Sequence, residues 1–149
     1  MPEITRKELA LALVSAGTNP RMAGLDLTML DMTRLDMTGA NLRGAKMQGV
    51  NLREAILRLA NITYVDMTVG KAVGCDFDTA NLTGAILTGV DLTSARLTNA
   101  NLTGVTLNDA NLTNANMKGA NVTNVRFNEK TTWPDGKKGS QGNPMDYTQ

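Results

Sequence analysis

Residues 100–116 read ANLTGVTLNDANLTNAN, a five-residue phrase stated over and over. A small apolar residue comes first, then a polar one, then Leu, then two polar or tiny residues. Followed in both directions, the same register runs unbroken from Leu25 to Glu129 and divides that stretch into 21 pentapeptides. The third position holds Leu, Met, Ile, Phe or Val throughout, from Leu27 to Phe127, except at Ala72. The first position is Leu at 25, 30 and 35, and afterwards Ala, Val, one Gly and Cys75.

A helix cannot use this pattern, because five residues advance ~500° and successive Leu would wander around the axis. A long strand cannot use it either, since an odd period sends alternate Leu to opposite faces. The pattern works if positions one and three point inward, position two points outward, and positions four and five turn the chain and reset the phase. The chain is then a coil with one pentapeptide per side. The number of sides follows from a longer period: Asn41, Asn61, Asn81, Asn101 and Asn121 recur every 20 residues, each preceded by Ala. Four pentapeptides therefore complete a turn. With coils ~4.8 Å apart, the 21 repeats predict about five coils and a tower roughly 25 Å tall. The Asn column reads as a hydrogen-bonded ladder running up one side.

The tandem A(N/D)LXX units resemble the pentapeptide repeat proteins, and the resemblance implies a right-handed quadrilateral β-helix, an all-β solenoid. The stretch FNEKTTWPDG, from Phe127, is similar to the way many members of that family end. The Leu at 25, 30 and 35 and the undersized Gly70 and Ala72 depart from the family pattern.

Both ends of a β-helix expose strand edges that need covers. TRKELALALVSAG predicts a capping α-helix: Thr5 and Glu8 form a capping-box pair, Leu9, Leu13 and Val14 supply an apolar face, and Gly17 suits the stop. At the other end Phe127 and Trp133 are the expected plug. The polar DGKKGSQGNPMDYTQ predicts a flexible C-terminal tail. The organisation expected is a capping helix and linker over residues 1–24, the β-helix over 25–129, and a cap with tail over 130–149.

Composition narrows the function. The 149 residues carry a formal net charge of +1, with no histidine and a single cysteine. The missing histidine removes the commonest general base and metal ligand. No cofactor, no metal and no enzymatic activity are expected. One cysteine excludes an intrachain disulfide and fits a reducing compartment. No signal peptide and no membrane-length apolar run are read, so the expected location is cytoplasmic, with neither membrane nor nucleic acid as partner. The N-x-Thr triplets at Asn61, Asn81, Asn101, Asn111 and Asn121 are products of the repeat rather than glycosylation signals. Cys75 and the methionines at third positions read as core. Asp26, Asp31 and Asp36 sit on three successive sides and diverge, whereas Asp76 and Asp78 flank Phe77 as neighbours.

One region breaks the bland surface. Ile56, Leu59, Tyr64, Val69, Val73 and Ile86 take outward or turn positions amid Arg43, Lys46, Arg53, Arg58 and Lys71. Exposed aliphatics with Tyr and Arg are what protein interfaces use. Arg53, Ile56, Arg58, Leu59 and Tyr64 are the candidate interface residues of a non-enzymatic structural or protein-interaction module, monomeric or an end-to-end homodimer. The family resemblance implies an alternative, mimicry of DNA toward DNA gyrase. Against it, residues 25–129 carry ten acidic and nine basic side chains, where a DNA mimic needs a strongly negative surface.

Overall fold

The computed structural model describes residues 2–149. Parallel bridges join residues 20 apart without a break from Arg21↔Asn41 to Thr106↔Arg126. Each residue at position two pairs with position two of the coils before and after it, so the pentapeptides stack in four columns. The first column holds Arg21, Asn41, Asn61, Asn81, Asn101 and Asn121, the second begins at Asp26, the third at Asp31 and the fourth at Asp36.

With Asn or Asp at position two, a unit stacked between two coils can satisfy all five of its backbone N–H groups, as buried backbone requires. Take the unit Ala80–Gly84. Asn81 N–H donates to the carbonyl of Ala60 in the preceding coil, at 2.9 Å. Leu82 and Gly84 donate to Asn101 and Thr103 of the following coil, at 2.8 and 2.9 Å. Ala80 donates to Phe77 O at 2.9 Å, closing a four-residue turn whose third residue, Thr79, has φ 56°. A positive φ at that place is the mark of a type II turn. The remaining donor, Thr83 N–H, is taken by Asn81 Oδ1 at 3.1 Å.

That last bond corrects the expected Asn ladder. The Asn side chains do not bond one another up the column; each accepts the backbone N–H two residues on, Asn41 from Arg43 and the later four from a Thr that adds its hydroxyl, as Thr83 does to Asn81. Asp does the same work at Asp66 and Asp91. The reason is local: a short carboxamide or carboxylate at position two reaches the one N–H that the coil stacking leaves over.

Third-position side chains from Leu27 to Val122 are buried, as are the Ala and Val of position one from Ala40 to Ala120, which gives one continuous aliphatic core. The coiled path also starts earlier than residue 25. Residues 20–24 already bridge to the next coil through Arg21, bury Met22 and turn at Gly24 with φ 71°.

Helix α1 spans Arg6–Ala16 and starts with the capping box, Glu8 N–H donating to Thr5 Oγ1 at 3.2 Å and Thr5 N–H to Glu8 Oε2 at 2.7 Å. Only Leu9 of the expected apolar face is fully buried; Leu13 is partly so, and Val14 is 85% exposed. At the far end the bridge offset lengthens by one residue, to Asn111↔Thr132. The expected flexible tail is folded instead. Residues Gly139–Gln141 and Pro144–Tyr147 form 3₁₀ turns that bring Tyr147 against Trp133, with ring centroids 5.7 Å apart. A fully buried Trp needs cover on both faces; Phe127 meets it edge-on at 5.1 Å and Tyr147 lies over it.

Candidate interaction surface

The turn residue at position five decides what the corners of the tower display. Its φ lies between 54° and 74° in every unit from Gly24 to Asn124. Glycine adopts this conformation freely, whereas other residues are disfavoured in it and β-branched ones most of all. Glycine fills many corners, and at Tyr64 and Val69 the glycine one coil on makes room for the side chain. A Cβ on Gly84 would stand 2.7 Å from the Tyr64 ring, and one on Gly89 would stand 3.3 Å from Val69 Cγ1.

Three successive corners of one coil break the habit. Leu59, Tyr64 and Val69 have φ of 59°, 58° and 54° and are 66%, 60% and 62% exposed. Their counterparts one coil earlier are Gly39, Gly44 and Gly49, each with a left-handed φ of its own. Tyr64 is held flat, with Gly84 under its ring and the Arg43 guanidinium 5.6 Å from its centroid.

The structure distributes the candidate residues around the tower. Ile56 and Arg58 share the fourth face, Leu59 stands at the corner between the fourth face and the first, and Tyr64 at the next corner. Arg53 lies on the third face, which carries Asn51 and Lys71. Arg58 is not a free cation. Its guanidinium approaches Asp76 at 3.8 Å and Asp78 at 3.5 Å, and Arg96 approaches the same two carboxylates at 3.8 Å each. Thr98 Oγ1 donates to Asp78, and together with both arginines this holds the Asp78 carboxyl below its ordinary range despite partial burial. Arg96 and Thr98 were missed in the sequence, although the 20-residue offset from Asp76 and Asp78 points straight at them. The neutralised cluster braces the face and leaves the apolar corners as its unpaired feature.

Cys75 is buried, and desolvation pushes its thiol far up. Among the described residues, no group of His, Cys, Asp and Glu could hold a metal ion, and no helix is long and apolar enough to cross a membrane.

A chain that stacks parallel coils every 20 residues, four pentapeptides to the turn, is a four-sided β-solenoid. It belongs to the pentapeptide repeat family: the model for pentapeptide repeats matches residues 36–68, 70–99 and 91–128, in eight copies. Members of the family are right-handed quadrilateral β-helices. No curated protein sequence matches the chain. Similar solved structures include the pentapeptide repeat protein Rfr23 from the cyanobacterium Cyanothece 51142, 23% identical over 78% of this chain and 85% of that one, with a TM-score of 0.40. HetL from Nostoc, involved in heterocyst differentiation regulation, is 24% identical over 80% of this chain and 62% of its own, with a TM-score of 0.34. QnrB1, a plasmid-mediated fluoroquinolone resistance protein, is 19% identical over 74% and 61%, with a TM-score of 0.46. The chain thus spans less than two thirds of both HetL and QnrB1.

Proposed function

We propose that this protein is a non-enzymatic interaction module whose rigid coils present a partner-binding surface centred on Leu59, Tyr64 and Val69. The observation that supports it is the conformation of those three corners. A left-handed non-glycine residue is disfavoured by about 1–2 kcal/mol, and glycine is the common alternative at these corners in the adjoining coils. Large apolar side chains held exposed at such positions are the kind of strain that accompanies function. Tyr64 with Arg43, and Leu59 beside Ile56 and Arg58, supply the aromatic, aliphatic and guanidinium mixture from which binding hot spots are made.

The charge pattern counts against the DNA-like alternative. Down the second column the outward residues are Asp26, Lys46, Asp66, Ile86, Thr106 and Arg126, and on the fourth face the arginines neutralise Asp76 and Asp78.

The test replaces Tyr64 by a photo-crosslinking aromatic residue in the native host and identifies the adduct. Wild-type protein added in excess competes for that adduct, and the triple variant L59G/Y64G/V69G does not. Equal competition by the folded triple variant overturns the reading.

A further inference from the structure

The two ends of the tower are finished differently. At the C-terminal end, residues 130–149 fold across the last coil. Asn114 N–H donates to Pro134 O at 2.9 Å, Gly119 N–H to Thr148 O at 2.7 Å, and the Trp133 indole N–H to Gly139 O at 2.7 Å. At the N-terminal end, the coil of residues 20–39 has no coil before it. Its position-two N–H and C=O groups, which in every later coil pair with the coil before, point at the N-terminal segment instead.

That segment covers them only in part. Glu3 N–H donates to Asp26 O at 2.8 Å and its carboxylate accepts Asp26 N–H at 3.1 Å. The Arg6 guanidinium donates to Asp31 O and Thr33 O at 3.0 and 2.9 Å. Among the described residues, the N–H and C=O of Arg21 and of Asp36 have no protein partner. Helix α1 lies over this edge on a thin attachment, with Leu9 its one fully buried side chain. A groove of about 380 Å³ opens between Leu13, Val14, Leu35 and Asp36, and a cavity of about 160 Å³ lies under Leu9, Leu13, Met22 and Leu25. An 11-residue helix is marginal on its own.

We infer that the N-terminal end is a gated self-association surface: α1 opens without unfolding the coils, and the edge it uncovers pairs with the same edge of a second copy. A two-fold axis between two such ends makes the facing sides run antiparallel. A residue that presents both its N–H and its C=O to the same side is the unit of a hydrogen-bonded antiparallel pair, so the edge is complementary to itself. The apolar layer of Met22, Leu27, Met32 and Met37 meets its own copy in the same contact. Because the C-terminal end is plugged, head-to-tail stacking is blocked, and association closes at two chains rather than running on as a fibre. Asp26, Asp31 and Asp36 outnumber Arg21 along the position-two edge, Arg34 of the same coil being paired with Glu54 of the next; these like charges restrain the pairing and make it stronger as salt screens them.

The full-length wild type and the R6A/L9A variant test this by residue-resolved hydrogen exchange and by sedimentation at low and high salt. Expected in the wild type is exchange of the α1 amides well ahead of those of residues 42–122. Expected in the variant is faster α1 exchange, unchanged coils, and a dimer at least about tenfold tighter than in wild type, with new protection at the amides of Arg21 and Asp36 and further tightening in high salt. R6A alone is expected to move in the same direction by less. The inference falls if α1 exchanges only together with the coils, if loosening α1 unfolds the whole chain, if the loosened variant stays monomeric, or if a dimer forms without protecting Arg21 and Asp36.

Discussion

Asn101 Oδ1 accepts two hydrogen bonds from Thr103, one from its backbone N–H at 3.1 Å and one from its hydroxyl at 2.6 Å. The first of these satisfies the only donor in the unit that neither the turn nor the neighbouring coils can reach. Asn101→Ala strands that donor at a half-buried turn, and a loss of about 1 kcal/mol is expected in urea denaturation. Asn101→Asp keeps the acceptor in place, as Asp91 already does for Thr93 at 3.1 Å. It is expected to stay within a few tenths of wild type at neutral pH. Equal losses for Ala and Asp would show that the cap is not what selects position two.

Gly84 and Gly104 occupy the same corner column with φ of 67° and 68°, yet a Cβ would meet the Tyr64 ring at 2.7 Å at Gly84 and nothing within 4 Å at Gly104. Gly104→Ala should therefore carry only the left-handed penalty, about 1–2 kcal/mol. Gly84→Ala carries that penalty and displaces Tyr64 as well, so its loss should be larger. In a Tyr64→Ala background the excess should vanish, which a double-mutant cycle reads directly. An excess that survives removal of the ring would place the conflict elsewhere.

Much of this was legible in the residues because the repeat repeats its physics. The inward Leu and Ala columns, the four sides and the Thr5–Glu8 capping box each follow from spacing alone. What the spacing hid was the partner of each polar group. The Asn residues align every 20 residues, which suggests a ladder, but their acceptors are used two residues away, at a scale the column obscures. The C-terminal segment misled for a related reason. Its Gly, Pro, Lys and Asp composition is that of a solvated tail, and one pair of aromatic residues, Trp133 and Tyr147, outweighs it by burying an otherwise bare ring. The helix face misled in the opposite sense. Val14 lies beside Leu13 in sequence, yet of the expected apolar face only Leu9 and Leu13 pack against the coil edge. The corner residues could be seen as large and apolar, but their left-handed backbone, which makes them unusual, shows only in three dimensions.

The outward carboxylates of the first coil set an acid limit. Asp31 is held below its ordinary range chiefly by the Thr33 hydroxyl and then by the Thr33 N–H, and Asp36 likewise by Thr38. A carboxyl whose folded pKa is depressed stabilises the fold above its unfolded value, about 3.9, and loses that contribution as pH falls through the folded value. Stability is thus expected to be level above about pH 5 and to drop below about pH 4. In D31N/D36N the carboxamides keep the turn bonds without a titrating group, so the drop should be shallower with little change at neutral pH. Denaturation midpoints across a pH series check this, and an unchanged acid slope would count against it.

Trp133 is the only tryptophan, so its emission reports on the C-terminal cap alone. Its indole N–H is bonded to Gly139 O, and Tyr147, stacked over it, is itself tied by its hydroxyl to Asp135 Oδ1 at 2.9 Å. Tyr147→Ala should shift the emission to the red and open the ring to iodide or acrylamide quenching while the coils keep their far-ultraviolet signal. A free tail would leave both readouts where they were. Alkali offers a second approach without mutation. Burial, followed by the hydrogen bond to Asp135, pushes the Tyr147 hydroxyl up to about 12. A group raised in this way stabilises the folded cap below its unfolded value near 10 and loses that contribution as pH climbs toward 12. The Trp133 emission should therefore hold steady to about pH 10 and shift red above it. Tyr147→Phe keeps the stacking but removes the titrating hydroxyl, so it should abolish that alkaline step and retain the blue emission at neutral pH.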